Sequence, residues 1–327
     1  MYGLKKLYRP EYFQGNRLAR KSADYFEGWY FKTVFDSCSY AFIPGVSLAE
    51  GDGHSFIQVN GGAGGRSSYH RFAREEFKWR KDRFLISVGP NRFSLDEIRL
   101  ELPGLSVDLR MNGLIRWPSS LLSPSSMGWY SFARIMECYH GIVVLDGRVH
   151  GSVNGVAQEG RFYLEKDWGR SFPRGWIWMQ SNSFPAPASE GAPASEDPPT
   201  SLTCSIARVP FRGRVFTGFI IGLLHNGRIE RFATYNGAVI ERLKVEAEHV
   251  EISVRRKKRR LHVRAKRVSG AVLASPVEGV MEGRIREAME SELYVEFEEN
   301  GRIAFSATGR NAGLEIVRPE VLDNLEP

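Results

Sequence analysis

The sequence predicts an all-β protein built as one or two antiparallel barrels or sandwiches, and three observations carry that prediction. Short segments rich in Val, Ile, Phe, Tyr and Trp recur about every ten residues along the chain. Gly, Asp, Asn and Pro separate them, with Asp146-Gly147, Asn226-Gly227, Asn236-Gly237 and Asn300-Gly301 placed as hairpin turns. Amphipathic periodicity of the helical kind is scarce, so βαβ units and a parallel sheet are not expected.

Taken in order, GWYFKTVF (28–35) is the first strong strand, its aromatic and β-branched residues suiting a pleated, half-buried surface. YAFIPGVSL (40–48) and HSFIQVN (54–60) follow at hairpin spacing, and FKWRKDRFLISVG (77–89) continues the pattern. WPSSLLSPSSMG (117–128) breaks the rhythm with two prolines and five serines, which places a boundary there between an N-terminal β module, 1–116, and a C-terminal one, 129–327. PAPASEGAPASEDPPT (185–200) reads as a mobile insertion between two hairpin arms. Beyond it, RVFTGFIIGLL (214–224) and RIERFATYNGAVIERLKVEA (228–247) are strand-like again.

The chain of 327 residues with 42% apolar content is long enough for a sizeable core. Its net charge of +7 is concentrated in RRKKRR (255–260) with Arg264, Lys266 and Arg267. Flanking ISV and LHV alternate with polar residues as hairpin arms do, so this run reads as a solvated turn or as a peripheral contact with an anionic membrane surface; nucleic acid is not expected as a partner. MYGLKKLYRP has positive charge but no apolar stretch after it, and no run of about 18 apolar residues occurs, so the expected location is cytoplasmic, with membrane association only at the surface.

Familiar catalytic motifs are missing. GGAGGR (61–66) does not meet dinucleotide-binding spacing, and neither a phosphate-binding G-x-x-x-x-G-K nor a G-x-S-x-G elbow occurs. Cys38, Cys138 and Cys204 are widely spaced and form no C-x-x-C, which indicates neither a disulfide framework nor a zinc site. Cys138 and His140 in ECYHG are a pair with no evident third ligand, and a lone strand histidine is more often structural. No metal is expected.

EGRFYLEKDWGRSFPRGWIWMQSNSF (159–184) mixes acids with three tryptophans. In an extended strand Tyr163, Glu165 and Asp167 share one face and Phe162 and Leu164 the other. By the same parity Trp176, Trp178, Gln180 and Asn182 project together, opposite Ile177 and Met179. Such faces suit either a β core with a polar rim or an apolar pocket with a few fixed polar groups.

YFEGWYFK (25–32), MGWYSFARIMECYHGIV (127–143), EKDWGRSFPRGWIWMQSNSF (165–184) and LASPVEGVMEGRIREAMESELYVEF (273–297) resemble the tocopherol cyclase family in order and spacing. The resemblance implies a lipocalin-like β-barrel or sandwich and cofactor-independent cyclisation of a prenylated hydroquinone to a chromanol. EGWYFK begins within about 25 residues of the first residue, an arrangement that suggests a bacterial member without the leader of a plastid enzyme. Ring closure needs a proton on a trisubstituted alkene and capture of the tertiary cation by the phenol oxygen, which calls for a carboxylic acid kept neutral by its surroundings. The resemblance points to Glu165, Asp167 and Glu27 as candidate acids. Glu165 ranks first, since plant members carry Asn at the position matching Asp167. Trp29, Tyr30, Trp168, Trp176 and Trp178 are candidates for stabilising the cation with their ring faces, and Gln180 and Asn182 for orienting the quinol. A non-catalytic carrier of a hydrophobic small molecule is the alternative, because it needs the pocket but no neutral acid.

Overall fold

A computed structural model of the chain describes residues 6–15, 24–61, 66–133, 136–185, 198–211 and 214–323. Most of the stretch expected as a mobile insertion, residues 186–197, lies outside the described residues. The chain divides into two compact units: Met1–Phe172 with Ala271–Ile285, and Pro173–Gly270 with Arg286–Pro327.

The first unit is built on an eleven-stranded antiparallel sheet. In chain order its strands are β1 (Phe26–Phe35), β2 (Ser39–Ser47), β3 (His54–Gly61), β4 (Arg66–Phe72), β5 (Phe77–Trp79), β6 (Leu85–Val88), β7 (Asn91–Ser94), β8 (Glu97–Leu102), β9 (Leu105–Arg116), β10 (Cys138–Val153) and β11 (Val156–Gly169). Their spatial order is β4-β3-β2-β1-β11-β10-β9-β8-β7-β6-β5, so β11 inserts beside β1 and the two tryptophan-bearing motifs become neighbours. The serine- and proline-rich 117–128 segment therefore joins adjacent strands of one sheet, β9 and β10, and the division between units falls at 172/173 instead. The long β10–β11 hairpin causes this, because its hydrogen bonds to β9 and β1 tie both sides of the expected boundary together.

The second unit carries β12 (Trp176–Ser181), β13 (Ser201–Phe211), β14 (Arg214–His225), β15 (Arg228–Ala233), β16 (Val239–Val245), β17 (His249–Arg256) and β18 (Arg259–Lys266). β19 (Ala271–Val277) returns to the first unit, β20 (Val280–Glu299) passes from the first unit into the second, and β21 (Arg302–Val317) ends the series. The order is β15-β14-β13-β12-β21-β20-β18-β17-β16, with β19 paired to β20. Ile177 and Met179 of β12 join Leu202, Cys204, Ile206, Ile252 and Leu293 in its apolar core.

Turn chemistry explains much of the meander. Asn226-Gly227 and Asn300-Gly301 have positive φ at both residues and close two-residue hairpins, as does Asn154-Gly155. Asp146-Gly147 lies instead inside β10, at a register shift where Asp146 is buried and paired with Arg161. Asn236-Gly237 ends the short 3-10 turn Thr234–Asn236. The basic run forms the β17–β18 hairpin, and Arg255, Arg259, Arg260 and Arg264 pair with carboxylates of neighbouring strands.

Candidate active site

Cross-strand register decides which motif residues meet. In an antiparallel pair, directly opposed residues share a face. β1 opposes Tyr30 to Glu165, Gly28 to Asp167 and Lys32 to Tyr163, while β10 opposes His140 to Asp167 and Ile142 to Glu165. One face of the first unit thus gathers Tyr30, Lys32, His140, Tyr163, Glu165 and Asp167. Glu165 is 4% exposed, and Tyr163 and Lys32 are buried with it.

Hydrogen bonds organise this face. The Tyr163 hydroxyl donates to Glu165 Oε2 at 2.5 Å, His140 Nδ1 lies 2.9 Å from Asp167 Oδ1, and His140 Nε2 lies 3.8 Å from Glu165 Oε2. The imidazole consequently stands between two carboxylates, the buried one on one side and the partly exposed one on the other. Ser126 holds the histidine backbone by donating to His140 O at 2.9 Å and accepting from Ile142 N at 3.1 Å. Among the described residues, a Cβ added at Gly28, directly across from Asp167, would meet no atom within 4 Å, which leaves open space next to the cluster. Desolvation first, and the nearby Asp167 and Glu137 carboxylates second, push the Cys138 thiol well above its ordinary range, which favours its neutral form.

The alternate residues of the same strands do something different. Glu27, Trp29, Lys166 and Trp168 lie on the opposite face. Lys166 and Glu27, each with a side chain 0% exposed, form an ion pair there. The Lys166 ammonium also donates to Pro10 O (2.8 Å) and Tyr12 O (2.7 Å) and lies 4.6 Å from the Trp29 ring centre and 4.8 Å from that of Trp168. Glu27 accepts from Gln14 N at 2.8 Å, Gly15 N at 3.1 Å and the Tyr25 hydroxyl at 2.5 Å, and Trp29 Nε1 donates to Glu11 O at 2.7 Å. These residues fasten the segment 6–15 to the sheet. The mixture of acids and tryptophans in EKDWG is thus two interleaved sets, one for each face.

Trp176, Trp178, Gln180 and Asn182 belong to the second unit and are buried there. Their shared side of β12 is opposite Ile177 and Met179, and Trp176 Nε1 donates to Glu315 Oε2 at 2.6 Å. His140 was set aside by the sequence pattern as a lone histidine. Its partners are 25 and 27 positions away, and only the β10–β11 register brings them within reach. The ligand atoms of His140, Glu165 and Asp167 lie within 4.8 Å of one another, a donor set that suits a divalent cation as well as a proton relay.

A family model described as tocopherol cyclase-like matches residues 104–317, most of the chain. The chain belongs to the tocopherol cyclase-like family. The match includes His140, Tyr163, Glu165 and Asp167 and begins after the EGWYFK strand. A chloroplastic tocopherol cyclase of Zea mays is 26% identical over 122 residues, which are 35% of this chain and 24% of that protein; the chain is matched over about a quarter of that relative's length. Among solved structures, CghA with Sch210972 superposes with a TM-score of 0.54 at 9% identity, covering 90% of this chain and 89% of the other. A second structure of CghA gives 0.51 at the same identity and coverage. At such identity the likeness speaks for the fold alone, which is all-β, antiparallel and lipocalin-like.

Proposed function

We propose that this member of the tocopherol cyclase-like family is a cofactor-independent cyclase that closes a prenylated hydroquinone, or a related terpenoid, to a chromanol-type ring. The observation that supports the reading is the Glu165 carboxyl, buried, hydrogen-bonded by the Tyr163 phenol and 3.8 Å from an imidazole nitrogen, on a face with open space at Gly28. Desolvation favours the neutral form of a carboxyl, and a neutral carboxyl is what an alkene requires as a proton donor.

In the proposed sequence Glu165 transfers its proton to the less substituted alkene carbon and leaves a tertiary cation. The neighbouring phenol oxygen forms the new C–O bond and loses its proton. His140, hydrogen-bonded to Asp167, returns that proton to Glu165, so the reaction is an isomerisation with no net proton change. Tyr163 fixes the carboxyl rotamer through its 2.5 Å bond, and the Tyr30 ring shares the face on which the cation develops. The relay rests on the first unit alone. Trp176, Trp178, Gln180 and Asn182 belong to the second unit and take no part in this relay.

Incubation with 2,3-dimethyl-6-phytylbenzoquinol and detection of a chromanol tests the reading. Glu165→Gln keeps size and removes the acidic proton, so turnover falls by about 10²–10⁴-fold with ligand affinity little changed. Asp167→Asn retains an acceptor for the imidazole and leaves most activity. Turnover that is lost on chelation and restored by a divalent cation would replace the acid with a metal centre on the same three residues. Retention of the quinol with no turnover in the parent protein would make it a carrier.

A further inference from the structure

Outside the candidate site, the segment between β9 and β10 presents an apolar tip. Ser120 and Ser123 exchange backbone hydrogen bonds of 2.9 and 3.0 Å, which leaves Leu121 and Leu122 at the centre of a tight turn. They are 80% and 77% exposed. Turn centres are ordinarily Gly, Asn, Asp or Ser, whose side chains serve the backbone there; two leucines serve neither the turn nor the core. On the following 3-10 turn, Gly128–Phe132, Trp129 and Phe132 are 47% and 42% exposed.

The base of this element is firmly held. Ser125 Oγ bonds Ser131 Oγ at 2.7 Å, Ser126 bonds the His140 carbonyl, and the Tyr139 hydroxyl donates to Ala133 O at 2.6 Å. The Tyr8 hydroxyl donates to Leu121 O at 2.9 Å, which brings Arg9 to the same end, and Arg9 and Arg116 share the single carboxylate of Glu11. The turn thus carries two exposed leucines, with exposed aromatics further along the same segment, and among the described residues two arginines near its base share one carboxylate.

We infer that Leu121, Leu122, Trp129 and Phe132 form a membrane-inserting tip that seats the protein on a phospholipid bilayer. A fluid hydrocarbon layer accepts a convex leucine pair without a complementary pocket. A tryptophan on the same segment suits the membrane–water interface, and two arginines sharing one carboxylate suit the phosphates. This contact is distinct from the charged β17–β18 hairpin, whose arginines are engaged with carboxylates. It does not depend on the cyclase reading, since vesicle binding is measured without turnover.

The test is sedimentation of the full chain with vesicles of phosphatidylcholine alone and of phosphatidylcholine with phosphatidylserine, at low and high salt. The tip predicts binding to both vesicle types that resists salt. Leu121→Ser/Leu122→Ser lowers the partition coefficient by at least about tenfold, with an unchanged circular dichroism spectrum and melting temperature because both residues are already in water. Brominated lipid quenches the tryptophan emission of the parent, and Trp129→Phe loses most of that quenching. Failure to bind either vesicle would overturn the inference, as would binding unaltered by the leucine substitutions. Binding confined to anionic vesicles, abolished by salt and by Arg255→Glu/Arg260→Glu, would assign the contact to the hairpin. Self-association that disappears with the two leucines would assign the tip to a second copy of the chain.

Discussion

Replacing Glu27 by Gln should destabilise the first unit while sparing the chemistry of the folded protein. The carboxylate accepts hydrogen bonds from Gln14 N, Gly15 N, the Tyr25 hydroxyl and the Lys166 ammonium, all within a fully buried site. A glutamine can offer one oxygen to these donors, and its NH2 would face another donor. The Lys166 charge would also lose its counter-ion, and the two tryptophan faces and two carbonyls around it compensate only in part. Removing one partner of a buried pair costs about 3–5 kcal/mol, and the mismatched amide places this case in the upper half of that range. With a urea slope of about 2 kcal/mol/M, the midpoint of the first unit's transition should fall by about 2 M. The assay is urea unfolding followed by tryptophan emission for the parent, Glu27→Gln, Lys166→Met and the double variant. The double variant should be less destabilised than the sum of the singles, because neither leftover charge is buried alone. A midpoint unchanged in Glu27→Gln would refute the structural assignment. Unchanged stability with lost turnover would move Glu27 into the chemistry.

Burial lowers the Lys166 ammonium to about 8 from its ordinary 10.5, against the opposing effect of Glu27. Between those values the unfolded chain binds the extra proton, so this group adds stability as pH rises; from pH 8 to 9 the gain is about 1 kcal/mol, read as the difference in slope between the parent and the Glu27→Gln/Lys166→Met double variant. Equal slopes would show that Lys166 is not depressed. The trend is opposed by Cys138 and Cys204 as pH rises through the unfolded thiol value of 9.0, and by Tyr25 as it rises through 10.0, because their buried neutral forms hold protons that the unfolded chain loses. Gly28→Leu fills the open space opposite Asp167 at little cost to folding, and it should weaken quinol binding at least about tenfold by excluding substrate; unaltered affinity would place the substrate elsewhere.

Much of the molecule was legible before any coordinates. The aromatic, β-branched runs and Asn-Gly turns specify antiparallel strands because these preferences are local, acting within one strand or one turn. Parity within a single strand was equally legible: Tyr163, Glu165 and Asp167 share a face, and Trp176 and Trp178 lie opposite Ile177 and Met179. A period of two follows from the pleat alone.

Register between distant strands was not legible. Nothing local in ECYHG says that His140 stands beside Glu165 and Asp167, since that depends on how β10 slides along β11 and where the bulges around Asp146 fall. Pairing β1 with β11 joined Glu27 to Lys166 across 139 positions and turned the most specific motif residues into a clamp on the segment 6–15. The serine- and proline-rich stretch looked like a domain linker because composition reports flexibility, not destination; its ends are held in one sheet by β9 and β10. The sequence by itself determined the strands and the alternation of their side chains. The tertiary structure decided which alternating face gathers the candidate His140–Glu165–Asp167 cluster and which holds the Glu27–Lys166 pair, because hydrogen-bond register is a long-range choice that a one-residue slip would reverse.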